Sequence, residues 1–246
     1  MALREEFARS GLWLFRWRSL LPLLAMAAIL GLILLGPQDQ PAWAGSLAWL
    51  LVCVAVSALG LIVRIVTVGR VPHDTSRRST REQAAAVLNR TGMYSVVRHP
   101  LYLGNYLMWL GVAMAPGIWW LAALVTLAYA LYYERIMYSE EEFLRTKFGH
   151  DYLDWAEQTP AILPALGRWK PATLPFSWRT VLRRENASAF ALVVAFTLTG
   201  LAQDFVAMHP FVPNRERLIA FGVGFAIYVV LRFFKRQTRL LHVDGR

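Results

Sequence analysis

Six apolar runs, at residues 20–36, 43–68, 101–115, 118–133, 187–207 and 218–234, alternate with polar stretches along the chain. A helix crossing a bilayer needs about 20 mostly apolar residues, so the pattern predicts an all-α, multi-pass transmembrane bundle of about six spans. The third and fourth runs are the shortest. Before the first run, "FARSGLWLFRWRSL" mixes Trp and Arg as an interfacial, amphipathic segment does. No small-residue cleavage pattern follows that run, and "GPQDQPAW" reads as a turn, so the first helix is expected to be retained.

Polar punctuation divides the chain into three expected parts: residues 1–90, with two spans and a polar loop; 91–170, a hairpin of short helices followed by an acid-rich segment; and 171–246, a final helix pair after the linker "KPATLPFSW". In the middle part, Pro100 suits the first turn of a helix, where its missing N–H costs nothing. Pro116 and Gly117 turn the chain. The returning helix should run past Tyr133 as "ERIMYSEEEFLRTKFG", with Gly149 as its C-terminal stop, and "HDYLDWAEQTP" should form a short second helix ended by Pro160.

Charge fixes the expected orientation. Arg4, Arg9, Arg16 and Arg18 precede the first span; Arg70, Arg77, Arg78, Arg81 and Arg90 follow the second; Arg145, Lys147, Arg183 and Arg184 lie between the fourth and fifth. The intervening loops are nearly free of cations, with only Arg215 and Arg217 in the last. Cytoplasmic loops collect Lys and Arg, so both termini are expected inside. The apolar content of 57% and mean hydropathy of +0.39 agree with a membrane protein, and the net charge of +10 is mainly a topology signal. Dispersal of the cations among membrane loops argues against nucleic acid as a partner. The single cysteine, Cys53, excludes an intramolecular disulfide and a Cys-based metal cluster. Twenty-three Arg against three Lys points to a GC-rich genome and a bacterial inner membrane.

The helical hairpin carries a geometric consequence. Arg98 and His99, in "GMYSVVRHPLYLGNYLMWLG", and Glu140, Glu141 and Glu142, in "SEEEF", lie about 40 residues apart, yet the hairpin returns both groups to one face of the bilayer. Each group has a plain alternative. Arg98 can snorkel to phosphate head groups, the glutamates can form a solvated helix exit with Glu141 and Arg145 four residues apart, and Tyr94, Tyr102 and Tyr106 can be interfacial aromatics. Arg64 sits near the inner end of the second span, where snorkelling competes with function. Neither common Gly-rich phosphate loop is present, nor a His-x-x-x-His or Glu-x-x-His spacing, so no metal is expected.

"GMYSVVRHPLYLG" followed by "EEEFLRTKFGHDYLDWAEQTPAILP" resembles the signature of the isoprenylcysteine carboxyl methyltransferase and phospholipid methyltransferase group. That pattern is Arg-His-Pro-x-Tyr-x-Gly, then Glu-Glu, Phe-Gly, a spaced Tyr and a closing Pro. The resemblance spans residues 92–164. It implies an integral membrane enzyme that binds S-adenosylmethionine at its cytoplasmic face, under short capping helices, and methylates a lipid or lipid-anchored acceptor. Carried over, Tyr94, Arg98, His99, Pro100, Tyr102, Gly104 and Asn105 line the cofactor site, and Glu140 and Glu141 complete it. Asn105 departs from the acid or glutamine of many relatives, and Trp155 replaces the second Tyr of the Phe-Gly block.

Chemistry agrees with the resemblance: Arg98 and His99 suit a carboxylate, a glutamate suits ribose hydroxyls or an ammonium, and tyrosine faces suit a sulfonium. An anionic oxygen acceptor needs no general base, whereas an ammonium acceptor must first lose a proton, for which Glu140 or Glu141 is the candidate. Arg64 and Arg135 are candidates to pair an acidic acceptor. The acceptor stays open among a prenylcysteine carboxylate, a lipid phosphate and a lipid amine, and the sequence does not specify an oligomer. Two rivals stand beside this reading. One is an NADPH-dependent, sterol-reductase-like membrane enzyme, disfavoured by Asn105 and "FGHDY"; the other is a non-catalytic membrane scaffold or lipid-binding protein.

Overall fold

The computed structural model describes residues 3–35, 41–72, 85, 87–207 and 214–243. The loop cations Arg77, Arg78 and Arg81, and most of the two cation-poor loops after the first and fifth apolar runs, fall outside them. The described residues form eight α-helices: α1 (Leu3–Trp17), α2 (Leu21–Leu35), α3 (Leu47–Val68), α4 (Pro100–Met114), α5 (Trp119–Phe148), α6 (His150–Gln158), α7 (Trp178–Ala207) and α8 (Arg215–Gln237). No strand occurs among them; one isolated bridge pairs Gly92 with Lys170.

The chain is a helical membrane protein, with a span pattern less regular than six equal crossings. Helices α3, α7 and α8 are each long and apolar enough to cross, and α1 with the body of α2, bent by 75°, makes a fourth candidate if counted as one span. Helix α4 has 15 residues, about 22 Å at 1.5 Å per residue, against a hydrocarbon core of about 30 Å. Helix α5 has 30 residues, but its second half is the charged segment from Glu134 onward. The predicted third span is therefore a short helix, and the predicted fourth is the apolar first half of a long one.

Several stops fall where side-chain chemistry puts them. Pro100 opens α4 in its first turn. Gly149 ends α5 at φ +55°, a backbone region that disfavours side chains. Helix α7 begins at Trp178, nine residues before the predicted run, because the linker is pinned to the end of α3. There Ser177 N donates to Gly69 O at 2.8 Å, and the Phe176 ring covers Gly69.

Helix α3 packs against α4 through residues without bulk. A β-carbon on Gly60 would lie 2.5 Å from Gly104 O, and one on Gly111 would lie 2.3 Å from Cys53 O. Small residues permit this backbone approach inside a membrane, and Ser57 Oγ adds a hydrogen bond to Met108 O at 2.8 Å. The main core joins Ile29 and Ile33 of α2, Val112 and Ala113 of α4, Leu121 of α5, and Ala195 and Ala202 of α7. A second core sets Phe15 of α1 against Tyr133, Ile136 and Met137 of α5. Helix α8 leans on α7 through Phe190, which stacks on Tyr228 with centroids 4.6 Å apart.

A strap of main-chain hydrogen bonds crosses the start of α4. Arg98 N donates to Pro160 O at 2.9 Å, His99 N to Ala161 O at 3.3 Å, Ala165 N to Val96 O at 2.9 Å, and Gly92 N to Lys170 O at 2.9 Å. Trp155 Nε1 donates to Tyr94 O at 3.0 Å. The residue that departs from the resembled pattern thus ties α6 to the segment leading into α4.

Candidate functional site

A cavity of about 470 Å³ opens among α1, α3, α4, α5, α6 and α7, within the roughly 300–1,000 Å³ of small-molecule sites. Its polar end is built by the start of α4 and the emergent part of α5. His99 Nε2 donates to Glu141 Oε1 at 2.9 Å, and Arg98 Nε lies 3.3 Å from the same oxygen. Tyr102 Oη donates to Glu140 Oε1 at 2.6 Å, and His99 Nδ1 lies 3.9 Å from Glu140 Oε2. The hairpin therefore interleaves two basic and two acidic side chains that are about 40 positions apart in sequence.

The two glutamates are shifted in opposite senses. Burial pushes the Glu140 carboxyl above its ordinary value of 4.5, against the opposing pull of His99 and the Tyr102 hydrogen bond. Burial alone would raise Glu141 too, but the His99 hydrogen bond and the His99 and Arg98 charges outweigh it and hold that carboxyl low. Burial and the Glu141 charge push the Tyr152 phenol up. One carboxyl is thus disposed to carry a proton and its neighbour to stay ionised.

Aromatic rings line the same space. His99 stacks on Tyr102 with centroids 5.7 Å apart, and Tyr102 meets Tyr133 at 4.7 Å. Tyr94, Tyr152 and Trp155 line the wall nearest α6. Arg98 Nε and Tyr152 Oη are buried without a hydrogen-bond partner among the described residues. Both atoms lie beside the Glu141 carboxylate, which Arg98 Nε approaches to 3.3 Å, so the three groups form one polar cluster on the cavity wall.

The expected site residues separate into groups. Tyr94, Arg98, His99, Pro100, Tyr102, Asn105, Glu140, Glu141 and Arg64 all line the cavity. Gly104 does not: a β-carbon there would lie 2.6 Å from Arg64 Cγ and 2.8 Å from Gly60 O, so its smallness serves the α3–α4 contact. Arg135 is also elsewhere. It faces α1, donates to Ser10 Oγ at 3.0 Å and lies 4.5 Å over the Phe7 ring, because position 135 sits on the opposite face of α5 from Glu140. Arg64 lines the cavity with its charge already paired. Its Nε and Nη2 donate to Glu185 at 2.7 and 2.9 Å, and its Nη1 donates to Asn105 Oδ1 at 2.6 Å.

Sequence reasoning missed Glu185, Arg184 and Arg18 as lining residues. The signal for Glu185 was an acid placed directly before an apolar run, in "RRENASAFALVV".

Residues 49–151 match the family model described as phospholipid methyltransferase. Two curated relatives match a similar share of the chain. The nickel-cobalt-cadmium resistance protein NccN of Alcaligenes xylosoxydans xylosoxydans is 33% identical over 123 residues, 48% of this chain and 54% of its own. The cobalt-zinc-cadmium resistance protein CzcN of Cupriavidus metallidurans is 32% identical over 116 residues, 46% of this chain and 50% of its own. The chain thus spans about half the length of these relatives. No solved structure matches. Helices α1, α2, α7 and α8 lie outside the region matched by the family model, as does most of α6.

Proposed function

We propose that this chain, whose residues 49–151 carry a domain of the phospholipid methyltransferase family of membrane methyltransferases, is an S-adenosylmethionine-dependent enzyme. It methylates a lipid or lipid-anchored acceptor at the cytoplasmic face of a bacterial inner membrane. The observation that carries this reading is the quartet of Arg98, His99, Glu140 and Glu141 beside tyrosine rings in one cavity. S-adenosylmethionine supplies an electrophilic methyl on a sulfonium, together with a carboxylate, an ammonium and ribose hydroxyls to be recognised.

The donor set fits those groups. Arg98, on the cavity wall beside Glu141, donates to the carboxylate together with His99. Glu141, held ionised, accepts from the ammonium or the ribose. Tyr102 and Tyr133 offer ring faces to the sulfonium. The chain's contribution to rate is then positioning and exclusion of water, because in-line displacement needs donor and acceptor held at near-attack distance. With an anionic oxygen acceptor, no proton moves. With an ammonium acceptor, Glu140 takes the proton, and its raised pKa brings it nearer to the pH at which it works.

The relatives' names connect to the same chemistry. Methylating an anionic head-group oxygen removes a surface ligand for divalent cations, so expression of the chain should raise a host's cobalt tolerance while Arg98→Gln does not.

The direct test incubates detergent-purified protein with methyl-labelled S-adenosylmethionine, total membrane lipid and farnesyl-cysteine, and locates the label by mass spectrometry. Label in a lipid or in the prenylcysteine supports the reading and names the acceptor. No label together with no cofactor binding overturns it and redirects attention to NADPH.

A further inference from the structure

Glu185 is only 4% exposed, on a helix long and apolar enough to cross a membrane, and it lies beyond the region that matches the family model. Ionisable groups in such positions are costly unless they are used. It grips Arg64 through two oxygens at 2.7 and 2.9 Å, with the two side chains 11% and 4% exposed. The stem of Arg64 lies over Gly104, where only a hydrogen leaves room for it. From there the guanidinium donates to Asn105 Oδ1 at 2.6 Å. An amide whose oxygen accepts from Arg64 turns its NH2 the other way, here toward the hydroxyl of Tyr133, another residue of the cavity wall. Three hydrogen bonds use three of the five guanidinium N–H groups, and the rest remain on a cavity-lining residue.

We propose that Glu185 is a positioning residue for the acceptor end of the cavity: through Arg64 it sets the donors that Arg64 and Asn105 present to the head group. Helix α7 thereby completes a site that residues 49–151 do not enclose alone. The inference rests on the methyltransferase reading of the cavity and adds a part to it. Because the carboxylate neutralises Arg64, this residue offers directed N–H donors, while Arg18 and Arg184 on the same cavity supply positive charge, a combination suited to a head-group phosphate. The alternative role for the pair is purely mechanical, tying α7 to α3.

Four full-length chains separate these roles: wild type, Glu185→Gln, Arg64→Gln and the double variant. The readouts are thermal midpoint, affinity for S-adenosylhomocysteine, and binding of fluorescent phosphatidylethanolamine in mixed micelles, with acceptor KM where turnover is seen. Either single variant leaves a buried charge unpaired and lowers the midpoint. The double variant removes both charges and recovers it.

The positioning role predicts lipid affinity about tenfold weaker in both singles, and still weak in the double variant, with cofactor affinity within about twofold throughout. If lipid binding recovers with the midpoint, or never falls, the positioning role is wrong and the pair is a tie between helices. Because lipid binding is read without turnover, a wild type that binds lipid but transfers no methyl strikes the activity proposed above and leaves this test in force. A wild type that binds neither lipid refutes the acceptor end itself; phosphatidylglycerol in a parallel titration distinguishes a zwitterionic from an anionic preference.

Discussion

Replacing Gly104 with Ala separates packing from cofactor contact, since Gly104 belongs to the resembled motif but not to the cavity wall. The new β-carbon would meet Gly60 O at 2.8 Å and Arg64 Cγ at 2.6 Å, against the 3.4 Å at which contact becomes ordinary. The backbone oxygen must therefore retreat by about 0.6 Å and the arginine stem by about 0.8 Å. Overpacking of this kind costs about 1–3 kcal/mol, offset by up to about 1 kcal/mol from the better helix propensity of Ala. The expected net loss is about 1–2 kcal/mol. Gly31→Ala in α2 is the control, because nothing lies within 4 Å of its β-carbon, and it should be neutral or slightly stabilising. Gly111→Ala, whose β-carbon would meet Cys53 O and Ser57 Oγ at 2.3 Å, should be the worst. The assay is thermal unfolding in one detergent, with S-adenosylhomocysteine affinity measured below the transition. A Gly104→Ala chain as stable as Gly31→Ala would refute the packing account. Unchanged stability with cofactor affinity lost tenfold would restore Gly104 to the cofactor site.

Arg98→Gln removes charge-assisted hydrogen bonds worth about 1.5–3 kcal/mol, so cofactor affinity should fall by about ten- to hundredfold in calorimetry. Arg135→Gln breaks the contacts to Ser10 and Phe7; it should cost about 1 kcal/mol of stability and leave cofactor affinity unchanged. The two glutamates should respond oppositely to pH. Glu140, raised in the fold, favours folding fully below its ordinary 4.5 and loses that contribution as pH rises through its raised value. Glu140→Gln should therefore gain stability relative to wild type as pH rises above 4.5. Glu141, lowered in the fold, contributes above 4.5 and loses its contribution as pH falls through its lowered value. Glu141→Gln should be most harmful near neutrality, with the gap closing in acid, and parallel melting profiles for the two variants would contradict the assignment.

The hairpin and its punctuation were legible in the sequence because they depend on local chemistry. Pro100 begins a helix for want of an N–H, Gly149 stops one through its backbone freedom, and Arg98, His99 and the glutamates meet because a turn at Pro116 and Gly117 leaves them little alternative. The α7 contribution was not legible. Glu185 and Arg64 are 121 positions apart, and no periodicity encodes such a pairing. The apolar run alone placed the helix start after Glu185, whereas the anchored linker brings α7 forward to include it. Arg135 misled for a related reason: proximity in sequence to Glu140 does not say which side of α5 a residue occupies, and the aromatic ring of Phe7 decides that from another helix.

The strap across the start of α4 uses the main-chain amides of Arg98 and His99 on the carbonyls of Pro160 and Ala161. Many anion sites at helix starts hold their ligand with such amides, and amides are alike in every residue but proline. Here they are occupied, and the groups left facing the cavity are guanidinium, imidazole and carboxylate. A site read by amides can drift in sequence without changing its ligand; in the proposed site the contacts are all side chains, so each codon of the quartet would be open to selection.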